Sequence, residues 1–473
     1  MTSSIEVKFV TASASRALPT THTAPRDATL SALPSARFRA STALTAHVAT
    51  TFRSARCFAR LWRSARVVSR MGTFSRARAP PARARRRYRP SGATCRLDVE
   101  CRPSSYDEEL REKTAHARAH FDGVATLPSR TETFESAREE FRMRAEFKVW
   151  HDGDRSYFAM CDSDRPKDPV EVVDFPMASE RVRELMPELL RDVTATETLR
   201  RKLFQANFLT TTTGDAVVSL LYHRQLDEDW EREAEAMRAR LGIDVIGRAR
   251  KQKLVLAKDF VTEKVLIDGK EFSYKQLEGS FTQPNAGIAA QMLAWARSAA
   301  VSDSPDVVAA ATPRDANRDF LELYCGNGHF TIALAPLFRK CLATEISKSS
   351  VAAAHVNMAA NGIDNVVTAR LSAEELCDAL DGGREYTRLK DIDLTTYDLS
   401  TVLVDPPRAG MGDEVSKFCA RFDRIIYISC NPETLARDCK ILGETHEIKR
   451  FAVFDQFPYT PHLESGALLV KRA

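Results

Sequence analysis

From Gln283 to the C-terminus, apolar runs alternate with helical segments, and no other feature of the chain restricts its fold so tightly. The runs cover residues 320–324, 340–344, 366–369, 399–404 and 424–429. After Arg424, the run before Ser429 is apolar, as expected of a buried strand. Strands alternating with helices predict a parallel, doubly wound α/β sheet. In open sheets of this kind ligands bind outside the carboxyl ends of the strands. Chemistry is therefore expected in the residues that directly follow these runs.

The chain has 473 residues, room for two or three domains. Upstream of the alternating region the pattern changes. Residues 106–121 read as a helix, and 142–150 alternate like a half-buried strand that ends in the turn His151-Asp152-Gly153-Asp154. Residues 216–222 read as a strand and 226–241 as a charged amphipathic helix. These signals predict an α+β domain with an antiparallel sheet over 104–275, followed by the α/β domain over 276–473. Residues 302–315, with Ser, Asp, Pro and a run of Ala, read as a surface insertion before the first core strand.

Residues 1–103 differ from both. The first 100 hold 19 Lys and Arg against 4 Asp and Glu, whereas the rest carries a net charge of −10, within a total of +5. The stretch from Arg76 to Arg87 is almost wholly Arg, Ala and Pro. An Arg-, Ser- and Ala-rich, acid-poor leader matches an organellar transit peptide, with the chloroplast favoured over the mitochondrion. A disordered RNA-binding tail is the competing reading. A start at Met71 or later would make the protein cytoplasmic. The folded body is mildly acidic, so any nucleic acid would be held by a local patch rather than a general field. The ten cysteines are scattered, without C-x-x-C pairs, which argues for a reducing compartment and offers no obvious metal site. No uncharged apolar run is long enough to span a membrane.

Four motifs carry chemistry. Leu323-Tyr324-Cys325-Gly326-Asn327-Gly328-His329 is a strand end, a glycine turn and a helix start, where a ligand can approach the backbone closely. Glu345 ends the next strand and can accept both hydroxyls of a ribose. The full dinucleotide fingerprint is missing, so S-adenosyl-L-methionine fits this pair better than NAD. Val404-Asp405-Pro406-Pro407-Arg408 ends a third strand with a carboxylate held by stiff prolines. Ser429-Cys430-Asn431-Pro432 puts a cysteine between a strand and a helix that Asn431 can cap and Pro432 can open. The positive helix end is expected to lower the Cys430 pKa and populate the thiolate. Downstream, Glu464 lies in a loop among aromatics, where partial dryness would raise a carboxyl pKa and suit proton transfer.

These stretches, with Phe281-Thr282-Gln283-Pro284-Asn285, Tyr427-Ile428-Ser429-Cys430-Asn431-Pro432-Glu433-Thr434-Leu435 and Asp455-Gln456-Phe457-Pro458-Tyr459-Thr460, strongly resemble the bacterial-type tRNA (uracil-5-)-methyltransferases. So do Arg142-Met143-Arg144-Ala145-Glu146-Phe147, Lys202-Leu203-Phe204-Gln205 and Leu221-Tyr222-His223 upstream. The resemblance runs from about residue 104 to the end. It implies a Rossmann-like methyltransferase domain preceded by an α+β RNA-binding domain. It also implies Cys430 as nucleophile and Glu464 as base, with Gln283, Tyr324, Glu345 and Asp405 lining the S-adenosylmethionine site. His329 stands where the family usually has Asn, Ser465 replaces a Cys, and Pro461 replaces a His. Phe204 resembles the aromatic that stacks on a T-loop base, with His223, Arg142 and Arg144 as further RNA contacts. The implied reaction is methylation of C5 of the T-loop uridine at position 54 of tRNA, by a monomer that needs no metal.

Two other readings stay open. The ribosomal-RNA branch of the same family typically carries a four-cysteine iron–sulfur site, whereas the upstream cysteines here, Cys57, Cys95, Cys101 and Cys161, have the wrong spacing. A tRNA-folding chaperone of the same fold is the second.

Overall fold

The computed structural model describes residues 100–162, 165–305 and 317–473, together with a two-residue strand at Arg87–Tyr88. The leader reading of 1–103 thus falls almost wholly outside the described residues, as does most of the 302–315 insertion.

The first sheet has eight strands: β1 (Arg87–Tyr88), β3 (Arg144–Asp152), β4 (Arg155–Asp162), β5 (Arg165–Val172), β6 (Leu203–Thr210), β7 (Ala216–Tyr222), β8 (Asp244–Ala249) and β9 (Gln252–Val255). Their order is β1-β5-β4-β3-β6-β7-β8-β9, antiparallel except at the β1–β5 and β7–β8 pairs. Gly153, with φ +57, closes the β3–β4 hairpin where the sequence placed a turn. Helices α2 (Glu180–Ala195), α3 (Glu197–Arg200) and α4 (Glu228–Leu241) accompany this sheet. Asp227 caps α4 by accepting from the Trp230 amide, and Trp230 is fully buried. The helix lies so close to β8 that a Cβ on Gly247 would meet the Trp230 ring and Leu226 at 2.4 Å.

The second sheet is the doubly wound one. It contains β12 (Asp319–Leu323), β13 (Cys341–Thr344), β14 (Val366–Ala369), β15 (Leu399–Val404), β16 (Arg424–Ser429), β17 (His446–Phe454), β18 (Glu464–Lys471) and β2 (Glu132–Phe134), in the order β14-β13-β12-β15-β16-β18-β17-β2. The first five are parallel, as the alternation required. Residues of β16 divide by parity: Ile425 and Tyr427 join one core, Ile426 and Ile428 the other. Helices α5 (Ala286–Val301), α6 (His329–Leu334) and α7 (Lys348–Ala360) bury residues in the second core; α8 (Ala373–Leu380), α9 (Gly412–Cys419) and α10 (Pro432–Leu442) do so in the first. A hairpin of β10 (Phe260–Ile267) and β11 (Lys270–Leu277) is fixed to α7 by Asn357 and Asn361, whose side-chain oxygens accept from the Lys275 and Ser273 amides.

Two observations depart from the sequence reading. The final strand, β18, is antiparallel and inserted between β16 and β17. Glu464 is its first residue and is buried, so it belongs to the sheet rather than to a loop. In addition, helix α1 (Tyr106–Ala119) and β2 come from the 104–275 stretch, yet β2 extends the second sheet by pairing with β17. Phe134 stacks on Phe454 with ring centroids 4.8 Å apart, and Phe121 meets Phe451 edge-on. Without β2, β17 would be an open edge with unpaired backbone groups. A three-residue strand has too few positions to announce this by periodicity.

Candidate active site

The doubly wound sheet aligns four of the expected residues. Leu323 pairs with Thr344 and with Val404, so Tyr324, Glu345 and Asp405 each stand one step beyond the end of adjacent strands. Cys430 stands one step beyond β16. The antiparallel register adds the decisive neighbour: Ser429 pairs with Ser465, which sets Cys430 opposite Glu464. Directly opposed residues in such a pair have Cβ atoms about 5 Å apart.

The local sequence explains the turn at Cys430. The Asn431 side chain accepts from the Glu433 amide and Pro432 opens α10, as read from the sequence. Ser429 closes the turn by donating to the Asn431 carbonyl and accepting from its amide. The Asn431 amide group and the Thr434 hydroxyl both donate to the Arg408 carbonyl, which ties the Asp405-Pro406-Pro407-Arg408 turn to the cysteine turn.

Electrostatics at this cluster are set by burial and by like charge. Burial and the Asp405 carboxylate push Glu464 up to about 8, in the direction expected. Burial alone pushes Asp405 up to about 7. The Cys430 thiol is also pushed up, to about 11, by burial first and then by Glu464 and Asp405; Arg408 pulls the other way. The expected thiolate is therefore corrected. A helix N-terminus contributes at most about 2 kcal/mol, too little against desolvation and two neighbouring acids.

The glycine turn and Glu345 form a cradle beside this cluster. Glu345 accepts from the Gly326 amide at 3.1 Å and the Ser347 amide at 2.6 Å, which fixes its carboxylate plane. Gly326 has φ +57 and nothing near its missing Cβ. Tyr324 also has a left-handed backbone, φ +65, a costly conformation for a non-glycine residue. Burial lowers the pKa of His329 to about 4, so its imidazole is neutral, and its Nε2 has no partner among the described residues. Gln283 accepts from Gln456, whose own buried oxygen has no partner among the described residues. A ribose, an amino-acid moiety and a sulfonium methyl group need such a set: an oriented carboxylate, open backbone above glycines and spare polar atoms. The residues present fit S-adenosylmethionine.

Comparison with known proteins agrees. A family model for tRNA (Uracil-5-)-methyltransferase matches residues 105–472. The chain belongs to that family. It is 49% identical over 377 residues to a tRNA/tmRNA (uracil-C(5))-methyltransferase of Shewanella amazonensis, covering 78% of this chain and 98% of the relative. A protein of the same name from Dechloromonas aromatica is 50% identical over 372 residues, with 78% and 98% covered. Among solved structures, the tRNA (uracil-54, C5)-methyltransferase of Pyrococcus abyssi in complex with S-adenosyl-L-homocysteine shares the fold, with a TM-score of 0.57 at 21% identity, over 77% of this chain and 83% of that one. This protein is thus an S-adenosylmethionine-dependent methyltransferase.

The remaining expected residues lie on the first sheet. Phe204 on β6 stacks on His223, with centroids 3.9 Å apart and planes 8° from parallel, and the Lys148 ammonium lies 5.8 Å from the Phe204 ring. Arg142 is half-buried, and its Nε donates to the Arg144 carbonyl. Burial, then the charge of Arg144, lowers its pKa. Arg144 pairs with Glu146 and donates to the Ser280 carbonyl at 2.9 Å. Arg144 thus also links β3 to the segment before α5.

Sequence reasoning left out several residues at the site. Arg408 is the basic side chain acting on Cys430, and it meets His462 at 3.4 Å; its place directly after Pro-Pro could have flagged it. Cys430, Arg408 and His462 line a groove of about 700 Å³ whose other wall is α1. Nothing in the local pattern of α1 announces that role.

Proposed function

We propose that this protein transfers a methyl group from S-adenosylmethionine to C5 of the T-loop uridine at position 54 of tRNA, through a covalent bond between Cys430 and C6 of the base. The observation that carries the reading is the β16–β18 register, which sets Cys430 opposite Glu464 at one end of the sheet.

Uracil C5 is too weak a nucleophile to be methylated unaided. Addition of the Cys430 sulfur to C6 makes C5 electron-rich. The thiol is neutral at rest, so its proton must leave as the bond forms; Asp405, held near 7, is a suitable acceptor beside it. The bound donor supplies an electrophilic methyl group. Glu464, held near 8, then removes the C5 proton. Elimination re-forms the C5–C6 double bond and frees Cys430, which recovers its proton from Asp405. Gln283, Tyr324, His329, Glu345 and Asp405 are the residues we assign to the donor site. The target base must leave its stack to reach the groove. The Phe204–His223 platform, with Arg142 and Arg144, is suited to holding the T arm by stacking and phosphate contact.

The test incubates the protein with labelled S-adenosylmethionine and unmodified tRNA. Label at C5 of uridine 54, and none with Cys430→Ala, is the expected result. Label on another base, or turnover by the variant, overturns the reading.

A further inference from the structure

The loop over 455–463, between β17 and β18, delivers the chain to Glu464, and it is held from outside by the N-terminal segment. Tyr459 lies in the left-handed region at φ +63, a conformation that costs a non-glycine residue energy unless its surroundings enforce it. Its hydroxyl donates to the Arg138 carbonyl at 2.7 Å, and its ring meets Tyr106 of α1 edge-on. Tyr106 in turn accepts from the Ser136 amide.

Lys113 of α1 is the charged tether. Its ammonium donates to the Asp455 carboxylate, to the Phe457 carbonyl at 3.3 Å and to the His462 carbonyl at 3.4 Å. Its three donors thus meet three acceptors, all from one loop. The acceptors span the loop from its first residue to the position two before Glu464. The pair is mostly withdrawn from water, with side-chain exposures of 10% for Lys113 and 1% for Asp455. A buried ammonium whose three donors are all met in fixed geometry sets position and not merely affinity.

We infer that Lys113 is a positioning residue for proton removal: by gathering both ends of the loop, it aims Glu464 at C5 of the base held by Cys430. The inference rests on the roles proposed above for those two residues. Sulfur addition depends on the β16–α10 turn, whereas the hydrogen bonds and ion pair of Lys113 all go to the 455–463 loop. Proton removal depends on where β18 begins. Loss of the tether therefore separates the two steps.

The test compares wild type, Lys113→Met, Lys113→Arg and the charge-neutral pair Lys113→Met with Asp455→Asn, which leaves no lone buried charge to unfold the protein. Adduct formation with 5-fluorouridine-substituted tRNA reads sulfur addition, since fluorine at C5 blocks the final proton removal. Tritium release from tRNA labelled at uridine C5 reads proton removal. In Lys113→Met and in the double variant, tritium release should fall about tenfold or more, the scale of a small misplacement of a reacting group. Adduct formation should stay within about twofold, methylated adduct should accumulate on ordinary tRNA, and Lys113→Arg should recover part of the release. Equal loss of both readouts, or no loss of either, overturns the inference while leaving the mechanism standing. A wild type that forms no adduct at Cys430 overturns both.

Discussion

At the scale of single residues, the site is a cluster of acids that share too little compensating charge. Glu464 is pushed up to about 8 from an ordinary value of 4.5. Between those values the folded chain keeps a proton that the unfolded chain has lost. Stability therefore falls as pH rises through that window. Glu464→Gln should make the folded protein more stable at pH 8, on the order of 4 kcal/mol, and no more stable below pH 4. Thermal melts at the two pH values check this. The same substitution should remove nearly all tritium release, and Cys430→Ala should cost roughly 10⁴-fold in methylation or more. Wild-type kcat/KM should climb from pH 6 to about 8 as the base ionises, and then level. A profile flat over that range would mean that proton removal by Glu464 is not felt in the rate. Cys430, Glu345 and Asp405 could be read from the sequence because each follows directly on an apolar strand. The protonation of Cys430 could not, because it depends first on burial in the folded cluster and then on Glu464 and Asp405, which come from other strands.

At the scale of elements, the bounds of β7, β14, β15 and β16 coincide with the expected runs, because β-branched and other apolar residues dominate each; the polar residues inside β7 and β15, Ser219, Ser400 and Thr401, are buried with them. Direction is another matter. The run that forms β18 has the composition of a parallel strand, and nothing along it signals that it runs antiparallel between β16 and β17. That insertion depends on Gly466. A Cβ there would meet the Trp295 ring at 2.9 Å and Phe454 at 3.1 Å, both within the buried core. Gly466→Ala should therefore destabilise the fold by about 1–3 kcal/mol. Because the glycine lies two residues after Glu464, activity should drop even where the protein stays folded; a denaturant titration with a parallel methylation assay separates the two effects. On the first sheet, Phe204→Ala should weaken tRNA binding by about 1–3 kcal/mol, the value of one stacked base. Affinity for S-adenosylmethionine should not change. Calorimetry with each ligand reads the two affinities apart.

At the scale of the molecule, the 100–140 segment is what the domain reading could not foresee, because its partners lie more than 300 positions away in the sequence. It covers the edge of β17 with β2, buries Phe121 and Phe134 against Phe451 and Phe454, and supplies Glu132 to Arg450. Arg450 is only 3% exposed, so Glu132 compensates a charge that has no access to water. Asp455 stands in the same relation to Lys113. Removing one partner of a buried pair costs about 3–5 kcal/mol, and two such losses together are comparable to the whole stability of an ordinary domain, roughly 5–15 kcal/mol. A chain beginning at residue 141 should therefore fail to fold cooperatively and should bind hydrophobic dye. A chain beginning at residue 100, which keeps all of the 105–472 family match, should melt like the full protein and methylate tRNA. If the shorter chain melts within a degree or two of the longer one, the segment is an accessory covering, and the strain at Tyr459 must be held from within the sheet itself.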